Sequence, residues 1–431
     1  MNRKLVVMSA DGLVVEDVRA MASMPGFQKY FSHCARAESV RSIYPTITYP
    51  CHMTMITGVY PDKHGIYGNY EFIPGRKKLP WKWFYSANRW PDDIFKAAKR
   101  EGLTTAAVFW PVTGNHPAID WLIDEYWPQS PEDSLEDTFR RSGSSDELVD
   151  LVLKYSPGVK FPKHPDIDGF MLNCTCDIIR KHQPDLMLVH PADVDGFRHK
   201  NGVFNDEVMK AVRNTDRYLM QIMETLEETG LIDCTDVVLT SDHGLIDVTQ
   251  TLHPNILLEQ HGLLKTDGEG KLLSWEAYCL AQGTSALIYL NPEAGPGVWE
   301  RTYQALQVLK DEGIWGIGDV FTQEEAQQQE HYGGDFAFVL ETDGKTAFGD
   351  HLEGDALTFF KTKTYPGGQA THGHLPDKGP QPVFLGVGPH FKPDAVVPRI
   401  RLIDEAPTYA KILGLHLQGA DGVPVDGMLN F

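Results

Sequence analysis

Short runs of nearly continuous hydrophobic residues recur along the chain, and each is followed by turn-forming residues and then by a helical pattern. Runs without polar alternation are typical of parallel strands that are buried on both faces of a sheet. The runs lie at residues 4–12, 104–112, 185–193, 236–244 and 382–389. Amphipathic helices are predicted between them, for example at 89–102 and 205–230. This alternation predicts an α/β fold with a doubly wound, mostly parallel sheet flanked by helices.

The alternation breaks down between about residues 248 and 369, where a different set of elements is predicted. Two short strands, at 285–291 and 335–342, lie on either side of a helical pattern at 297–313. We interpret this region as a small α+β insertion, or cap, in the main fold. The predicted division is a core of residues 1–247 and 370–431 and a cap of residues 248–369. Residues 127–165 are rich in Ser, Asp and Pro, and we expect them to run over the surface as loops.

The composition describes an ordinary globular protein. The chain has 431 residues, of which 42% are hydrophobic and 23% are charged, so it can bury a large core. No hydrophobic run reaches the roughly 18 residues that a membrane-spanning helix needs. We interpret the short apolar stretch at the N-terminus as the first strand rather than a signal peptide. Six cysteines in a chain of this length indicate no disulfide framework, and we expect a cytoplasmic protein.

The charge balance argues against polyanionic partners. The chain carries 59 acidic and 39 basic residues, which gives a net charge of −20. Such a surface repels nucleic acids and anionic membranes, so we expect neither a nucleic-acid polymer nor a membrane as partner. A small anionic substrate would require bound divalent metal ions to reverse the local field. The sequence does not indicate an oligomeric state.

Carboxylate and imidazole side chains cluster at the ends of the predicted strands. They are Asp11 after the first run, Asp193, Asp195 and His199 after the third, Asp242 and His243 after the fourth, and His372 and His374 just before the last. Folds of this class bind ligands at the carboxyl ends of their strands. Carboxylate oxygen and imidazole nitrogen are ligands that zinc and manganese accept. The pattern therefore predicts a metal site at this edge of the sheet.

Structural explanations remain open for some of these positions. Asp11, which precedes a glycine, could form a turn or cap a helix. Asp195 and His199 could be an exposed pair one helical turn apart, although Gly196 between them favours a loop. His372 alone is typical of a loop histidine. The adjacent Asp-His pair after the fourth run is harder to explain by packing, because unpaired polar groups are costly to bury.

The segment from Tyr44 to Asn69 supplies a hydroxyl group, Thr48, in a turn between Pro45 and Pro50 and ahead of a short apolar helix. A threonine at a helix start lies close to backbone N–H groups that have no partner within the helix and that favour anions. Threonine is a weak nucleophile until a base or a metal ion activates it. By itself the segment is equally consistent with an ordinary capped helix.

Six short motifs stand at or near these positions: SADG, PTITYPCHMTMITGVYPDKHG, FWPVTG, DVDGFRHKNG, TSDHG and THGH. In combination they resemble the nucleotide pyrophosphatase/phosphodiesterase family of the alkaline-phosphatase superfamily, although none of them would suffice alone. The resemblance covers approximately residues 1–247 and 370–431. It implies an alkaline-phosphatase-like fold and a hydrolase that acts on the phosphodiester or pyrophosphate bonds of a small, nucleotide-like substrate.

The resemblance also implies two divalent metal ions, and the histidines favour zinc over manganese. One ion would be held by Asp11, Thr48, Asp242 and His243, and the other by Asp195, His199 and His372. Thr48 would be the nucleophile, so hydrolysis would pass through a phospho-threonine intermediate. Two ions about 4 Å apart would stabilise the attacking and the leaving oxygen. His374 is expected to support a ligand without binding a metal ion itself.

Substrate contacts are less clearly marked. Related enzymes that cleave nucleotides carry an asparagine three residues after the nucleophile, where its amide donates to a phosphate oxygen. Here that residue is Cys51, a weak donor, and Asn69 or a backbone N–H group is expected to take its place. Trp110 could stack on a base or a sugar, and it could equally be a core residue. Tyr67 and the aromatic segment 81–85 are further candidates.

Other functions remain open. A phosphonate hydrolase or a phosphomonoesterase would use the same ligands, although no motif places a lysine or arginine to grip a terminal phosphate. A catalytically inactive binding protein would have lost ligands, whereas all seven expected positions are occupied. A dinucleotide-binding oxidoreductase would need GxGxxG after the first strand, and the chain has no such motif there.

Overall fold

A computed structural model describes residues 3–76, 91–360 and 369–431 of the chain. The central sheet of this part has eight strands. From one edge to the other they are Val396–Val397, Ala35–Ala37, Phe384–Val387, Thr235–Thr240, Lys4–Ser9, Leu186–Val189, Thr105–Val108 and Trp121–Ile123. The strands from Thr235–Thr240 to Trp121–Ile123 are parallel to one another. The predicted α/β fold with a mostly parallel sheet is therefore confirmed.

Both faces of the central sheet are covered by helices, because successive side chains of a strand point to opposite sides. In Lys4–Ser9, Val6 and Met8 enter one buried layer, and Leu5 and Val7 enter the other. The helices on the first side are Val15–Met21, Pro25–Tyr30, Leu135–Arg141, Asp146–Tyr155, Asp166–His182 and Val208–Glu228, and those on the second are Thr48–Thr57, Ile94–Arg100 and Glu405–Leu413. Burial on both faces explains why the strands are continuous hydrophobic runs.

The run at residues 382–389 does not form a parallel strand, as its pattern predicted. Phe384–Val387 runs antiparallel to Thr235–Thr240, with Phe384 opposite Thr240. Its neighbouring side chains enter opposite layers, Phe384 on one face and Leu385 on the other. Continuous hydrophobicity indicates burial on two faces, and that condition holds for a covered antiparallel strand as well as for a parallel one.

Residues 127–165 contain two helices, Leu135–Arg141 and Asp146–Tyr155, so the prediction of loops is wrong there. Each helix follows a serine, Ser134 or Ser145, whose hydroxyl oxygen accepts a backbone N–H group of the first turn. Acidic residues occupy both first turns. The serine and aspartate residues that suggested loops therefore cap and begin helices.

The helix predicted at 205–230 is present as Val208–Glu228, and the described part of 89–102 contains Ile94–Arg100. The remaining elements of the predicted core are the helices Pro61–His64 and Asp193–Asn201, the 3-10 helices Ile232–Cys234, Leu402–Asp404 and Asp426–Met428, and the strand pairs Val40–Arg41 with Ile400–Arg401 and Ile246–Asp247 with Ala370–Thr371. Over the three described ranges, no helix is both long and apolar enough to span a bilayer.

The predicted cap contains its own antiparallel sheet, of four strands. In spatial order they are Ala277–Gln282, Ser285–Leu290, Phe338–Thr342 and Ile317–Thr322. Helix Val298–Asp311 packs on this sheet, in agreement with the predicted elements. The other elements here are the helices Pro254–Gln260 and Gln323–Glu330 and the strands Gln250–Leu252, Leu264–Thr266, Leu272–Trp275, Thr346–Phe348 and Leu357–Phe359. The boundaries at residues 248 and 369 stay a prediction.

A glycine turn brings the cap sheet against the core. Gly283 has φ +72°, and a Cβ atom there would lie 2.2 Å from the His372 carbonyl oxygen, so only glycine permits this approach. The Thr284 N–H donates to the same carbonyl at 2.8 Å. The cap hairpin therefore meets the loop that carries His372, at the edge of the central sheet where the predicted ligands lie.

Candidate active site

Four predicted residues meet beyond the carboxyl ends of the two strands at the centre of the sheet. We call Asp11, Thr48, Asp242 and His243 the inner cluster. His243 Nε2 lies 3.3 Å from Thr48 Oγ1. The same nitrogen lies 3.2 Å from Asp242 Oδ2 and 3.5 Å from Asp11 Oδ1. All four residues are buried, so the cluster places a hydroxyl group beside two carboxylates and an imidazole with little access to water.

The position of Thr48 is fixed by the helix that it begins, Thr48–Thr57. The His52 Nδ1–H group donates to the Thr48 carbonyl oxygen at 2.8 Å, one turn further along this helix. Ser9 Oγ in turn donates to His52 Nε2 at 2.9 Å. These bonds tie the first turn of the helix to the end of a central strand. The hydroxyl of Thr48 is therefore held at the helix start, where free N–H groups favour anions.

The other three predicted ligands, Asp195, His199 and His372, form a second group that we call the outer cluster. Asp195 and His199 lie one turn apart on helix Asp193–Asn201, so the expectation of a loop here is wrong. Asp195 Oδ1 lies 3.3 Å from His199 Nε2 and 3.8 Å from His372 Nε2. The His243 and His372 rings stack at a centroid distance of 4.0 Å, so the two clusters adjoin.

The donor atoms of both clusters suit bound cations. Asp11 Oδ1, Asp242 Oδ2 and Asp195 Oδ1 are buried and have no hydrogen-bond partner among the described residues. Burying carboxylate oxygens in this way is costly unless a cation pairs with them. His199 and His372 donate their Nδ1–H groups to the carbonyl oxygens of Ala370 and Thr46 at 2.9 and 3.0 Å. This tautomer leaves each Nε2 lone pair for a metal ion, as is usual for metal-binding histidines.

The electrostatics of the inner cluster and of the adjoining His372 agree with this interpretation. Burial, followed by the repulsion of Asp242 and Asp195, raises the pKa of Asp11 well above its usual range. Burial likewise raises the pKa of Asp242 to about 8. It lowers the pKa of His243 well below its ordinary value and that of His372 to about 4. Acids and bases are thus both pushed towards their neutral forms, and a cation between them would reverse the effect for the carboxylates.

A third grouping, His52, His190 and Asp242, also lies close enough to hold an ion. Both ring nitrogens of His52 already have partners, Thr48 O and Ser9 Oγ. His190 Nε2 donates to Asp11 Oδ2 at 3.2 Å. We therefore interpret these histidines as groups that orient the helix start and a ligand of the inner cluster.

A cavity of about 390 Å³ opens over both clusters. Its walls include Thr48, Tyr49, Asn69, Tyr70, Glu125, Trp127, His164, Gln282 and the residues of the outer cluster. Two larger grooves, of about 470 and 630 Å³, are lined by none of the predicted ligands. The cavity over the clusters is therefore the one in which a phosphate could reach Thr48.

The family model for type I phosphodiesterase / nucleotide pyrophosphatase matches residues 5–367, which include the whole inner cluster and, of the outer cluster, Asp195 and His199. The chain belongs to this family. The predicted family is confirmed, and with it the assignment to hydrolases that act on phosphoester bonds, although the match also spans residues 248–367, which were predicted to lie outside the resemblance. Among curated proteins, venom phosphodiesterase 2 of Crotalus adamanteus is 26% identical over 256 residues, which are 57% of this chain and 27% of that protein.

Another relative is the ectonucleotide pyrophosphatase/phosphodiesterase family member 3 of Bos taurus, 23% identical over 56% of this chain and 25% of that protein. The chain thus matches about a quarter of the length of these curated type I phosphodiesterase relatives. Human ectonucleotide pyrophosphatase / phosphodiesterase 5 has the same fold, with a TM-score of 0.69, 20% identity and full coverage of both chains. An inactive threonine-to-alanine variant of the murine protein, in complex with AMP, also has this fold. Its TM-score is 0.68 and its sequence identity is 19%, over 99% of this chain and 100% of that chain.

Two of the residues proposed for substrate binding in this phosphodiesterase family member lie away from the cavity. Cys51 is fully buried on the core-facing side of helix Thr48–Thr57, and its thiol lies 3.4 Å from Ser42 Oγ. Trp110 is also fully buried and packs edge-on against His52, with ring centroids 4.8 Å apart. The structure thus brings neither side chain to the phosphate position, and Trp110 is a core aromatic residue.

Asn69 does line the cavity. Its Oδ1 atom accepts the Tyr49 backbone N–H at 2.9 Å, next to the nucleophile. This bond fixes the amide so that its NH2 group is left as a donor. Tyr67 packs instead against Tyr332 and Phe336. The aromatic segment 81–85 lies outside the described residues.

His374 supports the outer cluster indirectly. Its carbonyl oxygen accepts the Thr46 hydroxyl at 3.0 Å, and the Thr46 carbonyl accepts the His372 Nδ1–H. Asp193 contributes to neither cluster, because its carboxylate accepts from the Asn214 amide at 2.7 Å. Each of these polar residues has a hydrogen-bonding role beside a ligand rather than a place in a cluster.

Several polar residues of the cavity were not predicted from the sequence, among them Glu125 and His164. Both lie in or next to the stretch that was expected to form surface loops. Glu125 follows the edge strand Trp121–Ile123 and is partly buried. Its Oε2 atom has no hydrogen-bond partner among the described residues. His164 pairs with Asp168 four residues later, across the start of helix Asp166–His182. The spacing His-Pro-x-x-Asp at a helix start is the signal that could have indicated this pair.

Proposed function

We propose that this protein is a metal-dependent phosphodiesterase or nucleotide pyrophosphatase that works through a phospho-Thr48 intermediate. The observation that carries the proposal is the position of Thr48 Oγ1, 3.3 Å from His243 Nε2 inside the inner cluster. A hydroxyl group beside two buried carboxylates has no evident structural purpose there. As the first residue of a helix it can instead attack a phosphorus atom that the helix start attracts.

The two clusters fit one divalent ion each, with Thr48 Oγ1 as a ligand of the inner one. Imidazole nitrogens in both clusters favour zinc, and manganese is the alternative. Such ions, when bound, lower the pKa of the Thr48 hydroxyl and offset the charge of the phosphate. The support for this part is the set of unpartnered carboxylate oxygens, Asp11 Oδ1, Asp242 Oδ2 and Asp195 Oδ1.

Asn69 is the residue that we assign to a non-bridging phosphate oxygen, in place of Cys51. Its Oδ1 atom is engaged by the Tyr49 N–H, so its NH2 group is the part that can donate to substrate. A preorganised amide donor of this kind stabilises the charge that develops on phosphoryl oxygens. Cys51 is a weak donor, and its thiol points from helix Thr48–Thr57 into the core beside Ser42.

A diester is favoured over a monoester by the charge of the cavity. Among the described residues that line it there is no lysine or arginine to grip a second negative charge. A nucleotide-like substrate is supported by the relatives, since the murine protein of the same fold is bound to AMP. The chain matches about a quarter of the length of the curated relatives.

The test measures the turnover of an aryl phosphodiester and of an aryl phosphomonoester by the zinc-loaded protein and by its Thr48→Ala variant. We expect faster turnover of the diester, lost in the variant, together with a phosphate on Thr48 detected by mass spectrometry after acid quenching. Preference for the monoester would support a phosphomonoesterase instead, and turnover of phosphonoacetate alone would support a phosphonate hydrolase. Full activity of the Thr48→Ala variant would show that Thr48 is not the nucleophile.

We also propose that the protein works in a reducing compartment such as the cytoplasm. All six cysteines are free, and five of them are buried. Stable disulfides are rare where thiols are kept reduced, so the absence of pairing among these cysteines supports the proposal. Cell fractionation of the source organism would test it, and recovery only outside the cell would contradict it.

A further inference from the structure

An aspartate–histidine pair lies on the cavity wall beside the outer cluster. The His164 Nδ1–H group donates to Asp168 Oδ2 at 2.7 Å. Asp168 is buried, whereas 27% of the His164 side chain is exposed, and His164 is one of the residues that line the cavity. No described residue is bonded to the other ring nitrogen, Nε2. The pair therefore presents one imidazole nitrogen to the space above the clusters.

The pair is fixed against helix Asp193–Asn201, which carries Asp195 and His199. The second oxygen of Asp168, Oδ1, accepts the Ala192 N–H at 2.8 Å, immediately before helix Asp193–Asn201. A Cβ atom at Gly196 would lie 2.9 Å from His164 Cδ2, so the imidazole rests directly on this helix. Gly196 follows Asp195 in the chain. The imidazole is thus fixed next to the outer cluster, and the glycine is what permits its approach.

The surroundings of His164 favour the protonated ring. Burial disfavours the charged form, but the charge and hydrogen bond of Asp168 raise the pKa of His164 above its ordinary value. A carboxylate that binds one ring nitrogen and so stabilises the imidazolium is the usual companion of a histidine that transfers protons. The geometry and the charge therefore agree.

The position of the pair relative to Thr48 identifies the oxygen that it can reach. In phosphoryl transfer the attacking and leaving oxygens lie roughly in line on opposite sides of phosphorus. The nucleophile belongs to the inner cluster, while His164 rests on the helix that supplies Asp195 and His199. His164 is therefore on the side from which the leaving group departs and from which water later enters.

We propose that His164 is the general acid for the leaving group and the general base for the attacking water, with Asp168 as its positioning residue. This inference rests on the proposed phosphodiesterase function. Thr48, as its alkoxide, forms the Oγ–P bond while the bond from phosphorus to the leaving oxygen breaks. His164 Nε2 gives its proton to that oxygen, which departs as an alcohol. Water then attacks phosphorus and gives a proton to Nε2, and the Thr48 alkoxide departs, which restores both groups.

The test is the dependence of rate on the leaving group. Diesters with a constant phosphoryl half are hydrolysed with p-nitrophenol, phenol or an aliphatic alcohol as leaving group, by the wild type and by His164→Asn. A poor leaving group needs the proton most, so the loss in kcat/KM should grow from tenfold or less for p-nitrophenol to about 10²–10⁴-fold for the aliphatic alcohol. His33→Asn, which removes an exposed histidine paired with Asp394, is the matched control and should change none of the three rates.

An equal loss for all leaving groups in a folded His164→Asn protein would overturn the proposal, because it would assign a purely structural role to His164. Thr48→Ala separates this failure from failure of the proposed function. If that variant is inactive while His164→Asn loses activity uniformly, only the general-acid inference fails. If Thr48→Ala keeps its activity, the phosphodiesterase mechanism itself fails.

A second measurement does not depend on activity. In the metal-free protein labelled with ¹⁵N-histidine, both His164 nitrogens should stay protonated at a pH at which exposed histidines have become neutral. Asp168→Asn should move this titration to lower pH, and Gly196→Ala should reduce the rate with the aliphatic leaving group more than with p-nitrophenol. A His164 that is neutral throughout, or that is insensitive to Asp168→Asn, would contradict the proposed acid.

Discussion

The inner and outer clusters have similar ligands in different surroundings. The side chains of Asp11, Asp242 and His243 are 4%, 0% and 0% exposed, and those of Asp195, His199 and His372 are 15%, 36% and 11% exposed. Unpaired carboxylates are costly to bury, so the inner cluster depends more strongly on a bound cation than the outer cluster does. The outer cluster stays open to water and substrate. The inner cluster is thus suited to hold the nucleophile, Thr48, and the outer cluster is open to the substrate and water that react with it.

This difference has a structural cause in the elements that carry the ligands. Asp11, Asp242 and His243 follow strands at the centre of the sheet, where helices cover both faces. Asp195 and His199 lie on a short helix at the cavity wall, and His372 lies in a loop against the cap hairpin. Positions after central strands are buried by the fold itself, whereas helix and loop positions at the rim keep contact with solvent.

The largest effect is expected at the nucleophile of the inner cluster. Thr48→Ala should lower kcat/KM for an aryl phosphodiester by about 10³-fold or more, because no other hydroxyl lies in that cluster. The metal content should change little, since two carboxylates and an imidazole remain. Thr225→Ala, at a buried threonine on helix Val208–Glu228, is the control for loss of a buried hydroxyl and should retain activity. Activity is measured with metal content on the same samples.

The next largest effect is expected at Asn69, which lines the cavity, in contrast to the buried Cys51. Asn69→Ala should reduce kcat about 10²–10³-fold, because it removes a donor aimed at a phosphoryl oxygen. Cys51→Ala is the matched comparison one turn along the helix from Thr48, and it should change kcat by no more than a few fold. Steady-state kinetics on a diester checks both. Equal losses of kcat in the two variants would indicate that the Cys51 side chain contacts the phosphate.

Metal binding should distinguish the two clusters. Asp195→Asn removes a ligand from the more exposed cluster, so metal analysis after dialysis should give about one zinc ion per chain rather than about two. In the wild type a chelator should remove the outer ion first, in two separable phases. The contrast between the clusters would be wrong if the variant bound no metal or if both ions left the wild type together.

The smallest effect concerns stability without metal. Burial raises the pKa of Asp242 to about 8 from 3.8, so between these values the folded protein holds a proton that the unfolded chain has released. This group therefore makes the free energy of unfolding fall as pH rises from about 4 to about 8. Asp242→Asn should remove that decline and stabilise the metal-free protein at pH 8, by a few kcal/mol at most. Denaturant unfolding of both proteins at pH 5 and pH 8 gives the comparison, and parallel pH profiles would contradict it.

The ligands could be predicted from sequence because each follows a strand or lies in a short linear motif. Asp11, Asp242 and His243 need only a correctly identified strand before them, and the structure brings each of them into a cluster. The helix start at Thr48 was indicated in the same way by its neighbouring prolines. Local sequence carries this information because a buried strand and a turn are local patterns.

Other features depend on long-range packing and could not be predicted. The direction of Phe384–Val387 depends on chain topology, which its hydrophobic pattern does not specify. Cys51 is close to the nucleophile in sequence, but it lies on the helix face that packs into the core. Trp110 belongs to one of the motifs, but its side chain points into the core after the end of its strand. His164 reaches the cavity only because the 127–165 region folds back over the sheet and because Gly196 leaves room for the ring. Such contacts join residues far apart in sequence.

The most direct test of the account is the location of zinc in a crystal of the metal-loaded protein. Anomalous diffraction at the zinc edge should show two ions, one bound by Asp11, Thr48, Asp242 and His243 and the other by Asp195, His199 and His372. The inner ion should have the higher occupancy after brief chelation. A single ion shared by all seven residues, or an ion held by His52 and His190, would contradict the account.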